Sequence, residues 1–141
     1  MSIELDVQWP YVFTRFDGAQ TSADLDKYIA RMDAEVHARK QPYVGVTFLK
    51  KYNRDKETVE RMRKWIAETE HFTRERCLAI AMVNSSAGFR FVLSAIFVIQ
   101  PMPCPYDVCG SFDEAVAFVQ KEAGKRKLKL GTPRRPWPDM P

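Results

Sequence analysis

Tyr43-Val44-Gly45-Val46-Thr47-Phe48-Leu49 and Cys77-Leu78-Ala79-Ile80-Ala81-Met82-Val83 decide how this chain folds. Both stretches are nearly unbroken in apolar and β-branched residues, without the period-two alternation of a strand that has one wet face. Strands of this kind are covered on both sides. Two of them in one chain call for a parallel sheet with helices packed on its faces.

The flanking sequence supplies those helices. Thr21 or Ser22 caps a helix in which Leu25, Ile29, Met32 and Val36 share one face, and the pattern runs to about Lys40 before Pro42. Asp55 opens a second helix whose inner face is read as Val59, Met62 and Ile66 with Trp65 beside it. Asn84-Ser85-Ser86 caps a third, from Ala87 or Gly88 to about Ile99. Pro101, Pro103 and Pro105 then force an extended segment before a short strand, Tyr106–Cys109. Ser111 and Glu114 form a capping box ahead of a last helix facing inward through Phe112, Ala115, Val116 and Val119. At the other end, Ile3, Leu5 and Val7 alternate with polar residues, and Tyr11–Phe16 follows the break at Trp9-Pro10. These two strands read as an antiparallel edge hairpin. The order is β-β-α-β-α-β-α-β-α, an α/β fold with a mixed, mostly parallel five-stranded sheet and helices on its faces.

The chain has 141 residues with a formal charge of +4, and the charge is unevenly placed. From Lys121 onward seven basic residues face Glu122 and Asp139, a surplus of five, so residues 1–120 carry a net charge of −1. The globular part is therefore not a basic, nucleic-acid-binding fold, and no specific nucleic acid partner is expected. Residues 1–124 read as one domain. Residues 125–141 hold four prolines in their last eleven positions and read as a basic, flexible tail able to touch acidic surfaces. The N-terminus lacks the basic and apolar regions of a secretory signal, and Phe89–Ile99 is too short to span a bilayer. An odd count of three cysteines does not suggest a disulfide framework, and a cytoplasmic protein with reduced thiols is the expectation.

The strand Tyr43–Leu49, the strand Leu78–Asn84 running into Ser85-Ser86, the helix Phe89–Ile99 and the ending Ser111–Phe118 together resemble the small bacterial STAS domains, the SpoIIAA-like (STAS/SEC14-like) proteins most of all. The resemblance spans about residues 3–122. It implies a non-catalytic binding or regulatory domain, with dimerisation or apolar-ligand binding in some relatives. Anti-sigma factor antagonists of this type carry a phosphorylatable Ser where the central strand meets its helix. Here that junction reads Leu49-Lys50-Lys51-Tyr52-Asn53-Arg54-Asp55, with no Ser or Thr before Thr58, so the phospho-switch does not transfer.

No catalytic constellation stands out. His37 and His71 lie near the ends of separate helices, where a cation serves the dipole. Cys104 and Cys109 lack zinc spacing, and neither a nucleophile elbow nor a phosphate-cradling glycine loop is present. Neither a cofactor nor a metal is expected, and no enzyme activity.

Two surfaces remain. Ligands of open α/β sheets sit beyond the carboxyl ends of parallel strands. There Lys50, Lys51, Tyr52, Asn53 and Arg54 form one expected loop, with Ser85, Ser86 and Arg90 on the next. Cations and helix amides at that place suit an anion or an acidic partner; solvated loops with ordinary caps are the preferred reading, since loops and caps are polar whatever the function. The second surface is the helix bearing Phe89, Phe91, Leu93, Ile96, Phe97 and Val98, apolar nearly all round, where about three-sevenths would suffice to pack on a sheet. Its outer side is expected to meet another protein, most simply a second copy in a homodimer. The alternative is that the domain carries or senses a small apolar or lipid-like ligand held at this helix.

Overall fold

The computed structural model describes residues 2–53 and 55–141, and of Tyr52 and Asn53 the backbone alone. Along the chain lie β1 (Ile3–Gln8), β2 (Tyr11–Ala19), α1 (Ser22–Glu35), a 3₁₀ turn (His37–Arg39) and β3 (Tyr43–Asn53). There follow α2 (Lys56–Arg76), β4 (Cys77–Val83), α3 (Ala87–Ile99), β5 (Tyr106–Cys109) and α4 (Phe112–Lys125). The sheet runs in the order β1-β2-β3-β4-β5. β1 is antiparallel to β2, and all other pairs are parallel. The two decisive stretches are neighbours running the same way, with Val44 opposite Ala79 and Phe48 opposite Val83. Val44, Val46, Ala79, Ala81 and Val83 are wholly buried, as strands covered on both sides require.

Each parallel strand lies next to the one before it, and the order never reverses. Right-handed crossovers stepping steadily in one direction put their helices on a single face. That face is packed with Leu25, Ile29 and Met32 of α1, Met62 and Trp65 of α2, and Phe89 and Leu93 of α3. The opposite face receives Phe112, Ala115, Val116, Val119 and Ala123 of α4. Five strands span about 19 Å between the outer axes, and a helix is about 10 Å across, so α4 alone covers half of its face.

The chain beyond α4 covers the other half. Leu128, Leu130 and Trp137 pack on the core under this face, and Met140 is 1% exposed within it. The Tyr11 hydroxyl donates to the Gly131 carbonyl at 2.6 Å, and the Gln8 side chain exchanges two hydrogen bonds with the main chain of Arg134. The Phe112 N–H donates to the Pro141 oxygen at 2.6 Å. The expected flexible tail is thus a packed strap. Its prolines and charges suppress regular structure, but its few apolar residues have an uncovered sheet face to fill.

Three local expectations also change. Lys50 to Asn53 is not a loop: β3 continues through it, paired with Asp17–Ala19 of β2 beyond a register shift at Phe16/Asp17. Side-chain polarity reports which face is wet, whereas the backbone ladder continues as long as a neighbour strand does. On α2 the inner residues are Thr58, Met62, Trp65 and Thr69, while Val59 and Ile66 are 44% and 52% exposed. Both threonines are tolerated inside because their hydroxyls donate locally, to the carbonyls of Asp55 (3.1 Å) and Trp65 (2.8 Å). The first helix stops at Glu35 and turns through the 3₁₀ segment, with Lys40 in the left-handed region.

Candidate functional site

The carboxyl ends of β2, β3 and β4 bring the expected anion cluster together only in part. Lys50 lies 2.7 Å from Asp139 Oδ2, and Arg15 of β2 lies 2.6 Å from the same oxygen while also reaching Asp17 at 3.2 Å. The Asp139 carboxyl is held below the usual carboxylate range, first by the Lys50 hydrogen bond and then by Arg15. A carboxylate of the chain itself therefore sits where the sequence suggested an outside anion.

The next residues are drawn into structural roles. The Asn84 amide donates to the Leu49 carbonyl at 2.6 Å, and its Oδ1 accepts from the Ser86 N–H at 2.8 Å, tying the ends of β3 and β4 together. Ser86 Oγ accepts from the Phe89 N–H and caps α3. Arg90 donates to the Asn84 carbonyl at 2.8 Å and lies against Gly110, where an added Cβ would stand 3.3 Å from its Nη1. Gly110 leaves room for that guanidinium, and Arg90 so joins the loop before α3 to the loop before α4. Lys51 and Ser85 are exposed. The side chains of Tyr52 and Asn53, and Arg54 altogether, lie outside the described residues. The strand order has no reversal, so the parallel strands β2 to β4 do not form the switch point at which ligands of open α/β sheets bind.

The apolar helix divides sharply. Phe89, Leu93 and Phe97, spaced by four, turn inward; the Phe97 ring meets Tyr106 of β5 with centroids 5.1 Å apart. On the other side Phe91 is 76% exposed and Val98 78%, joined by Ile96, all three named from the sequence. Val92 and Ile99 extend this surface, and the sequence reading did not single them out. No residue of α3 is fully buried. The reason is topological: α3 lies over the outer edge of the sheet, where β5 has only four residues and no strand follows.

The histidine at the end of α1 is not a dipole partner. His37 is buried, with Nδ1 3.0 Å from Asp33 Oδ1, which also accepts from Trp65 Nε1 at 3.3 Å, and its ring stacks on Phe72. This cluster fastens α1 to α2. Among the described residues no three His, Cys, Asp or Glu side chains gather as metal ligands, and no helix is long and apolar enough to cross a membrane.

No protein-family model and no curated protein matches the sequence. Among solved structures, the chain is similar to an uncharacterised protein of the DUF3478 family with a SpoIIAA-like fold from Shewanella loihica PV-4. The TM-score is 0.66 at 10% identity, covering 83% of this chain and 91% of that one. The fold is thus SpoIIAA-like, as the sequence resemblance implied, and the likeness lies in the architecture.

Proposed function

We propose that this chain is a cytoplasmic, non-catalytic interaction or regulatory module that pairs with a second copy of itself through the outer face of α3. The observation carrying this reading is the uninterrupted apolar surface of Phe91, Val92, Ile96, Val98 and Ile99. It amounts to several hundred Å², about the largest patch a monomer normally exposes. Two such faces together would bury on the order of 1,000 Å², the threshold of a specific interface.

A second copy suits this face better than an unrelated polar partner. No charged residue lies between Phe91 and Ile99, so two identical helices can meet without like-charge repulsion. Ser94 and Ala95 are small and exposed near the middle, which lets antiparallel helices approach closely about a two-fold axis. Phe91 of one copy would then lie beside Val98 of the other. The exposed Lys51 and Ser85 at the strand ends are left for an acidic group of a regulatory partner.

Light scattering across a concentration series tests the pairing. The expected result is a dimer for the wild-type chain and a monomer for F91D/V98D with an unchanged circular dichroism spectrum. A wild-type monomer at the highest concentration refutes it. If native mass spectrometry then shows an apolar adduct, the ligand-carrier reading takes its place.

A further inference from the structure

We infer that Cys77 and Cys104 form a dithiol site that hydrogen peroxide converts to an intramolecular disulfide. The inference does not depend on how α3 is used. Sequence spacing directs attention to Cys104 and Cys109, but the fold separates them. Cys109 is in the core beneath α4, whereas Cys77 and Cys104 share the core on the opposite face.

The geometry follows from the parallel pairing of β4 and β5. The Ile80 N–H donates to the Pro105 carbonyl, and Ile80 stands opposite Tyr106. That register brings the segment just before β5 alongside the first residues of β4. The two sulfurs lie 3.9 Å apart. A disulfide requires about 2.0 Å, so they must close by about 1.9 Å. Cys77 is fixed at the start of a central strand. Cys104 stands in the proline-containing segment between α3 and β5, outside any helix or strand, and the bond to β4 is made by the neighbouring Pro105 carbonyl. The approach can therefore come from one side.

The surroundings assign the roles. Cys104, 9% exposed, is the more accessible of the two. The adjacent Cys77 thiol lowers its pKa, while Cys77 is driven up by the same contact and by burial. Cys104 is the attacking sulfur and Cys77 the resolving one. The Cys104 thiolate attacks one peroxide oxygen, and the O–O bond breaks. The departing hydroxide takes a proton to become water, leaving a sulfenic acid at Cys104. Cys77 sulfur then attacks Cys104 sulfur. The S–S bond forms, the S–O bond breaks, and the leaving hydroxide takes the Cys77 proton as a second water. Two thiols are oxidised by two electrons and one peroxide is reduced to two waters. Cys109 provides an internal comparison: burial, aided by Asp107 and Glu114, pushes its thiol up to about 12.

The test treats the full chain with hydrogen peroxide, blocks remaining thiols and digests with trypsin and Asp-N. Cleavage after Arg90 and before Asp107 separates all three cysteines onto different peptides. The expected product is a Cys77–Cys104 cross-linked pair lighter by two hydrogens, formed at least about tenfold faster than oxidation at Cys109. C77S should lose the cross-link entirely and gain a dimedone adduct at Cys104. Retention of both thiols while Cys109 oxidises, or cross-links only between molecules, overturns the inference. The wild-type digest alone decides this even where a serine variant fails to fold.

Discussion

Replacing Met140 with alanine tests whether the C-terminal strap belongs to the core. The side chain is 1% exposed and packs in the cluster that contains Tyr11, Phe13 and Phe112. Truncating a buried methionine costs about 2–5 kcal/mol, of which part is the cavity left behind. Met140 lies on a strap outside any helix or strand, so its surroundings can partly collapse, and the expected loss is about 2–3 kcal/mol. For a chain of this size that corresponds to a fall of about 6–9 °C in melting temperature. Urea titration followed by circular dichroism measures it, with K129A as the surface control, expected within about 0.5 kcal/mol of wild type. A Met140→Ala midpoint equal to that of the control would show that residues 126–141 do not fold onto the sheet. The argument that α4 leaves half a face uncovered would then be wrong.

Asp139→Asn removes the carboxylate shared by Lys50 and Arg15, with an expected loss of about 1 kcal/mol at neutral pH and low salt. Because folding lowers the Asp139 pKa, its contribution is present above the unfolded value near 3.9 and is lost as pH falls through the lower folded value. Wild type and D139N should therefore converge in stability in acid, and a constant gap down to strongly acid pH contradicts the pairing. Gly18 sits in β2 with φ of +90° and open space where a Cβ would be, so Gly18→Ala should cost about 1–2 kcal/mol through the backbone alone. A neutral result in the same urea assay would mean that the turn of the backbone there relaxes freely. Ser111→Ala removes the hydroxyl that accepts from the Glu114 N–H and should cost about 1 kcal/mol. An unchanged midpoint would assign the capping of α4 to its other contacts.

Hydrophobic patterning, together with caps and prolines, located the strands and helices of this protein and their order. Continuous apolar runs identified β3 and β4, because only strands covered twice need no polar face. Capping residues located three helix starts to within a residue: Thr21, Asp55 and Ser111 each accept from the N–H three positions on. The Ser111 box differs in one respect, since Glu114 reaches back to the Gly110 N–H. The surplus of apolar surface on α3 was equally legible, since it exceeds what one sheet contact can absorb.

Other features depend on residues distant in sequence, and only the tertiary structure decides them. Whether Lys50 is a binding cation depends on Asp139, 89 positions away. Whether Cys104 has a thiol neighbour depends on the register of β4 and β5. The fate of the last residues depends on how much of a sheet face one helix can cover. Local sequence encodes the period and the caps because those are set within a turn or two of backbone. Pairings across the fold are set by which strands lie side by side, and a single chain written in order carries no direct record of that.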